Sequence, residues 1–380
     1  MFKKTLAAVA VLGAFAGSAM AANVTLYGVV DNALQYTYKK YADDKATNAY
    51  GIKSGAAAGN RWGLKGQEEL GNGLVAGFQL ESGFTSDDGK SAQGGRLFGR
   101  VASMYLKGGF GTLAVGHDGA LVSGLGSVSY IYQYAALGTG WGDTVGSQGL
   151  YNFGYQDRAD NTITYITPDF GGVKVYAQYS FQASGQENPS ANDNNRYGAL
   201  GFQYNGGAFS TGLVVDYLKR AETTADLDDQ FTVSYGASYD FGVAKVYGLA
   251  QYGKNMDGVL KLGKDRGGDS WNWDSSNGFS YGKGWNLGLG VSAPVAGGTL
   301  YGQVNYVQVK GDYTFTEDEE TFTSWSKANM YGVGVGYGYP LSKRTTVFTY
   351  GGYGQAKYKF DDGSVKAKIG EVGLGLTHKF

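Results

Sequence analysis

Phe231-Thr232-Val233-Ser234-Tyr235-Gly236-Ala237-Ser238-Tyr239-Asp240-Phe241 alternates, apolar at each odd position and polar or small at each even one. A period of two places the two sets on opposite faces of a strand. One face is greasy and the other polar. The same pattern runs through Val173, Val175, Ala177, Tyr179 and Phe181, and through Val372, Leu374 and Leu376. Extended along the chain, it predicts sixteen strands at roughly 23–40, 60–70, 74–84, 96–108, 111–119, 161–170, 173–181, 196–205, 209–220, 229–241, 243–254, 281–293, 298–311, 326–340, 345–360 and 366–380.

The connections between these segments alternate in length. Gly71-Asn72-Gly73, Gly109-Phe110, Gly171-Gly172 and Gly206-Gly207-Ala208 are tight, whereas 41–59, 85–95, 120–160, 182–195, 221–228, 255–280, 312–325 and 361–365 form the long set. Short turns on one rim and long loops on the other mark a transmembrane β-barrel. Sixteen strands leave an aqueous lumen, where eight would fill with side chains. Pro168, Pro294 and Pro340 fall at strand ends, and Pro189 falls in a long loop, where no ladder bond is lost. Many tyrosines, among them Tyr36, Tyr105, Tyr217 and Tyr306, lie near segment ends, where an aromatic girdle would sit. The expected fold is all-β: a closed 16-stranded antiparallel barrel with its long third loop folded into the lumen.

Composition narrows the alternatives. The chain has 65 Gly, 4 Pro and no Cys in 380 residues, which excludes a disulfide framework and thiolate metal sites. A net charge of −1 does not suggest nucleic-acid binding. Lys3 and Lys4, the apolar run Leu6 to Phe15 and the Ala19-Met20-Ala21 cleavage site read as a secretory signal peptide over 1–21, with the barrel domain over 22–380. Beyond it, no apolar run approaches the ~20 residues that a spanning helix needs.

Residues 120–157 form a connection with no sustained period. Connections of that length are usually functional or disordered. This one carries Tyr130, Tyr132, Tyr134, Trp141, Tyr151, Phe153 and Tyr155, which disordered segments lack. Two readings follow: a loop that folds into the barrel and narrows it, or an Ω-type surface loop. The barrel pattern around it favours the first.

The chain resembles the general porins of Gram-negative bacteria, most closely the β-proteobacterial type. The resemblance rests on Val24-Thr25-Leu26-Tyr27-Gly28-Val29-Val30-Asp31, Arg61-Trp62-Gly63-Leu64-Lys65-Gly66-Gln67-Glu68-Glu69-Leu70-Gly71, Phe78-Gln79-Leu80-Glu81, Tyr105-Leu106-Lys107-Gly108-Gly109-Phe110-Gly111-Thr112-Leu113 and the terminal Phe380, in this order. It implies a homotrimer in the outer membrane, in contact with lipid and lipopolysaccharide, that passes small hydrophilic solutes. It also implies a basic pore wall of Arg61, Arg100 and Arg158 facing the third loop, and an assembly signal at Phe380 read by the outer-membrane assembly machinery. A constriction with low-dielectric walls focuses the field of such charges. Lys65 and Glu81 are further lumen candidates. The loop supplies Asp143, flanked by Asp118 and Asp157; Asp143 reads equally as a turn residue.

No cofactor or metal site is expected. His117 beside Asp118, with Ser123 nearby, is the only arrangement that a barrel hydrolase would use, and a structural histidine is the plainer reading. The Glu317-Asp318-Glu319-Glu320 run reads as a solvated loop or as a bridge through divalent cations to lipopolysaccharide. The leading function is passive diffusion with a weak anion preference. A channel specific for a sugar or organic anion, and an adhesive or structural barrel, are the alternatives.

Overall fold

The computed structural model describes residues 23–142, 153, 158–222, 228–256, 282–311, 314–317, 320–323, 327–360 and 363–380. β1 (Asn23–Tyr41) pairs antiparallel with two segments lying end to end, β2 (Thr47–Ser54) and β3 (Arg61–Gly71). There follow β4 (Leu74–Gly83), β5 (Val101–Gly108), β6 (Gly111–Gly119), β7 (Arg158–Ile166), β8 (Val173–Ser180) and β9 (Arg196–Gly206). β10 (Phe209–Lys219), β11 (Gln230–Asp240), β12 (Lys245–Met256), β13 (Gly282–Val295) and β14 (Gly298–Gly311) continue the meander. A small hairpin of β15 (Thr314–Glu317) and β16 (Glu320–Thr323) stands apart from the main sheet. β17 (Lys327–Pro340), β18 (Thr345–Phe360) and β19 (Gly363–Lys379) complete it, and β19 pairs with β1 from Val29↔Lys379 to Tyr41↔Ala367. This pairing closes the barrel, which has sixteen staves when β2 and β3 count as one.

Closure leaves no sheet edge, and every main-chain group can bond within the ladder. The alternation read from the sequence sorts the two faces. Leu34 and Leu289 point outward at 67% and 66% exposure, while Asn286, Ser234 and Thr232 point inward and are fully buried. An outer face rich in exposed Leu, Val and Tyr suits hydrocarbon. Among the described residues, no helix is long and apolar enough to cross a membrane.

Three expectations need correction. Residues 41–59 are not all loop, because β2 forms there along β1, with Tyr36 opposite Tyr50 and their rings 4.9 Å apart. Only Tyr50 and Ile52 give that segment an apolar outer face, too little for a local signal; the waiting edge of β1 makes it a strand. Residues 96–100 are not strand, since a turn at Gln93–Gly95 and Gly99 interrupt the period, and Arg100 stands just before β5. β7 begins at Arg158 rather than 161, past a bulge where Asn161 takes a left-handed φ of 52°.

Candidate functional site

The third long loop leaves β6 at Gly119 and lies against the inner wall. Its backbone is held by inward amide side chains. Gln178 on β8 accepts from Leu121 N–H at 3.0 Å and donates to the Gly119 carbonyl at 3.1 Å. Gln303 on β14 accepts from Leu137 N–H at 2.8 Å, and Gln251 on β12 exchanges bonds with the main chain of Phe153. Loop backbone in a lumen needs such partners, because buried N–H and C=O groups are costly when unmet. Aromatic side chains do the packing. Tyr130 packs its ring, tilted, on Tyr176 at 4.7 Å and donates to the Leu213 carbonyl at 2.8 Å. Tyr134 lies over Gly236, where a Cβ would collide with its ring. Burial pushes the Tyr130 and Tyr134 phenols above their ordinary range, so both stay protonated.

The loop tip is latched to the break between β2 and β3. Trp141 and Gly142 both donate their N–H to the Ala56 carbonyl, at 2.7 and 2.9 Å. Trp141 packs on Tyr301 at 5.1 Å and on Phe348 at 5.9 Å, and it covers Gly336, whose Cβ would stand 2.6 Å from its ring. The break is itself pinned. Asp31, fully buried on β1, accepts from Ala57 N–H at 3.0 Å and from the Thr377 hydroxyl at 2.5 Å, while Asn60 accepts from Asp31 N–H at 2.5 Å. Position in the sequence alone gave Asp31, Asn60 and the three glutamines no role. They become recognisable once an inward position is known to lie beneath the loop.

Beside this latch the wall carries charge. Glu81 on β4 sits between two guanidinium groups, Arg100 Nε at 2.6 Å and Arg61 Nε at 3.6 Å. Tyr27 donates to the same carboxylate at 2.9 Å and accepts from Gln79 at 2.8 Å. Arg61 also donates to the Gly59 carbonyl at 2.8 Å. Lys65 lies four residues beyond Arg61 along β3 on the same inward face, with its ammonium 5.3 Å from the centre of the Tyr27 ring. Two guanidinium groups on one carboxylate, with the Lys65 ammonium on the Tyr27 ring nearby, give this wall a positive balance.

The other candidates are placed as follows. Arg158 opens β7 opposite Gly119 and is largely buried. Asp118 is buried and accepts from Gly119 and Ser127 N–H, each at 2.7 Å, and from the Ser127 hydroxyl, so it ties down the start of the loop. Tyr130 and Tyr134 are buried against the wall, and Tyr132 is buried over Gly124 of the loop itself. Asp143 and Asp157 lie outside the described residues, as do Asp318 and Glu319 of the acidic run. His117 Nδ1 is 2.6 Å from Asp160, which Arg96 also contacts at 2.7 Å, and His117 Nε2 is 3.1 Å from the Gly99 carbonyl. Ser123 donates instead to the Ala120 carbonyl at 2.9 Å. Phe380 exchanges two main-chain bonds of 3.1 Å with Gly28, and its ring covers that glycine.

A barrel greasy outside, polar inside and crossed by a pinned loop is a membrane channel in class. The chain matches the model of a Gram-negative porin family over residues 7–362. It is 34% identical over 412 aligned positions to an outer membrane porin protein of Bordetella pertussis, covering 100% of both. It is 34% identical to outer membrane porin protein 32 of Delftia acidovorans, covering 91% of this chain and 88% of that protein. Among solved structures, the anion-selective porin from Comamonas acidovorans superposes with a TM-score of 0.64 at 28% identity, covering 94% of this chain and 100% of that one. OmpT of Vibrio cholerae, in its trimer form, shares the fold with a TM-score of 0.59 at 17% identity, covering 95% and 100%. The chain belongs to the Gram-negative porin family and is an outer-membrane channel.

Proposed function

We propose that this porin is a passive diffusion pore for small hydrophilic solutes with a modest preference for anions. The observation that carries the reading is the Arg61–Glu81–Arg100 cluster with Lys65 beside it. One carboxylate is shared by two guanidinium groups with the Lys65 ammonium as a further cation, so a passing ion meets a positive balance at a narrowed section. The anion-selective Comamonas porin is a relative of the same kind. Arg158 adds to the basic wall, and the pore loop supplies the narrowing. A track for sugar stacking finds no support in Tyr130, Tyr132 and Tyr134, whose rings are buried. The functional unit is a homotrimer, exported by cleavage after Ala21 and inserted through recognition of the Phe380 terminus.

Planar bilayers test this reading. Zero-current potentials in a KCl gradient should take the sign of anion preference at low salt and shrink as salt is raised, because the Debye length falls from ~10 Å at 0.1 M to ~3 Å at 1 M. A cation-signed potential at low salt contradicts the charge assignment, and a silent bilayer contradicts the pore.

A further inference from the structure

The three cations of the pore wall are not equivalent. Arg61 and Arg100 are both engaged with Glu81, and their side chains keep 27% and 15% of their exposure. Lys65 is exposed, and among the described residues it forms no ion pair. Yet a carboxylate lies close to it in the sheet. Across β3 and β4, Gly63 pairs with Glu81 and Lys65 with Gln79. Lys65 and Glu81 are therefore diagonal neighbours on one face, ~7–8 Å apart at the backbone and within reach of long side chains. Opposite charges so placed attract each other. The lysine should swing onto the carboxylate unless something stands between them.

Tyr27 stands between them. On β1 it pairs with Gly63, in the same row as Glu81. Its ring crosses β3 over that glycine, where a Cβ would stand 2.8 Å from the Tyr27 Cζ and hydroxyl oxygen. Arg61 and Lys65 lie two residues to either side of Gly63, so the ring divides them. The phenol donates to Glu81 Oε2 at 2.9 Å, the oxygen that Arg61 Nε faces at 3.6 Å, while Arg100 holds Oε1 at 2.6 Å. Both oxygens of Glu81 are thus taken. Gln79 donates to the same phenol at 2.8 Å and fixes its orientation. The Lys65 ammonium is left by the ring, 5.3 Å from its centre. An aromatic face attracts a cation without cancelling its charge. All three donors of the ammonium stay available.

We propose that Tyr27 is a positioning residue that holds Lys65 off Glu81, and that Lys65 so held is the contact in the lumen for the oxyanion group of a passing solute. The total charge of the wall is the same whether or not Lys65 pairs with Glu81. Tyr27 decides instead whether one full cation stays open to direct contact. The arginines, tied to Glu81, supply the surrounding field. Lysine is a compact point charge with rotatable donors and meets oxyanions without a fixed approach. Gly63 belongs to the device, because the ring needs bare backbone to cross the strand. The proposal rests on the reading of the barrel as an anion-preferring pore and adds which side chain the anion touches.

The test is block of the KCl current by inorganic phosphate, with full-length protein in planar bilayers. Phosphate should reduce the wild-type current and saturate. Lys65→Gln should weaken the block about fivefold, the weight of one unit charge at contact distance in water. Tyr27→Ala removes no charge, yet should weaken it to a similar degree as Lys65 falls onto Glu81. Tyr27→Leu carries the same expectation should the alanine variant fail to insert. Tyr27→Phe keeps the ring over Gly63 and should keep most of the block. Tyr27→Ala with Glu81→Gln removes the competing carboxylate and should restore the block, which a merely structural role for Tyr27 would not allow. Absence of block in the wild type, undiminished block in Lys65→Gln or Tyr27→Ala, a phenylalanine variant as weak as the alanine one, or failure of Glu81→Gln to rescue each overturns the proposal. The sign of the wild-type zero-current potential, read on the same bilayers, judges the anion preference itself, so the two readings can fail separately.

Discussion

Two arcs of the same inner wall behave differently. From β8 round to β18 the inward positions hold Gly236, Gly336 and the amides of Gln178, Gln251 and Gln303, and the pore loop covers them. On β3 to β5 the inward positions hold Arg61, Lys65 and Glu81, with Arg100 at the strand mouth. Both arcs follow from one alternation of strand residues. Glycine removes side-chain bulk where a ring must lie flat, and amides meet loop backbone that water cannot reach. The paired arginines gather on the second arc, beside the latch. The covered arc sets the width of the pore, and the open arc sets its field.

If that division holds, the open arc should dominate selectivity. Arg61→Gln with Arg100→Gln leaves Glu81 without its guanidinium partners and changes the local charge by two. Unit charges 4 Å apart interact by about 1 kcal/mol in water and about 4 kcal/mol at an effective dielectric of 20. Even the lower limit, taken twice, amounts to a shift of more than about tenfold in relative ion partitioning. Zero-current potentials should move towards cation preference with the channel still open. An unchanged potential would mean that the field is set elsewhere.

On the covered side, the latch is the weak point. Asp31→Ala leaves Ala57 N–H and the Thr377 hydroxyl without their acceptor. A buried donor left unmet costs about 1–3 kcal/mol. The urea midpoint of the folded barrel should fall, and single-channel records should become noisier as the tip at Trp141 loses its seat. Quiet records at reduced stability would separate Asp31 from the loop.

Gly336→Leu asks for a smaller change at the same contact. Its side chain would enter the space of the Trp141 ring, and overpacking of this kind costs about 1–3 kcal/mol, part of which the loop relieves by moving. The tip should be pushed off the wall into the opening, lowering conductance with little change in selectivity. Val335→Leu, one residue away and facing outward at 54% exposure, should do neither. Equal conductance in the two variants would dissolve the distinction between covered and open wall.

The strands were legible because their signal is local. Residues 173–181, 229–241 and 298–311 carry the period of two, which any inside–outside boundary imposes on an extended chain. Connection lengths, likewise local, gave the rims and the barrel. Three things were not local. β2 is a strand because β1 presents an edge to Thr47–Ser54, and so pairing rather than pattern formed it. Arg100 lies outside β5, yet a turn brings it to Glu81, which no spacing along the chain announces. The divider at Tyr27 exists only as register: Tyr27, Gly63 and Glu81 are far apart in sequence and level only after the staves have aligned.

The sequence by itself determined that this chain crosses a membrane as a barrel and that residues 120–157 differ in kind from every strand around them. Tertiary structure decided which inward positions the loop covers and which it leaves to water. It also decided that Asp31 pins a break in the wall while Glu81 tempers two arginines. The physical reason is that alternation fixes only the face a side chain occupies. Closure of the barrel and the docking of one loop fix what that face meets.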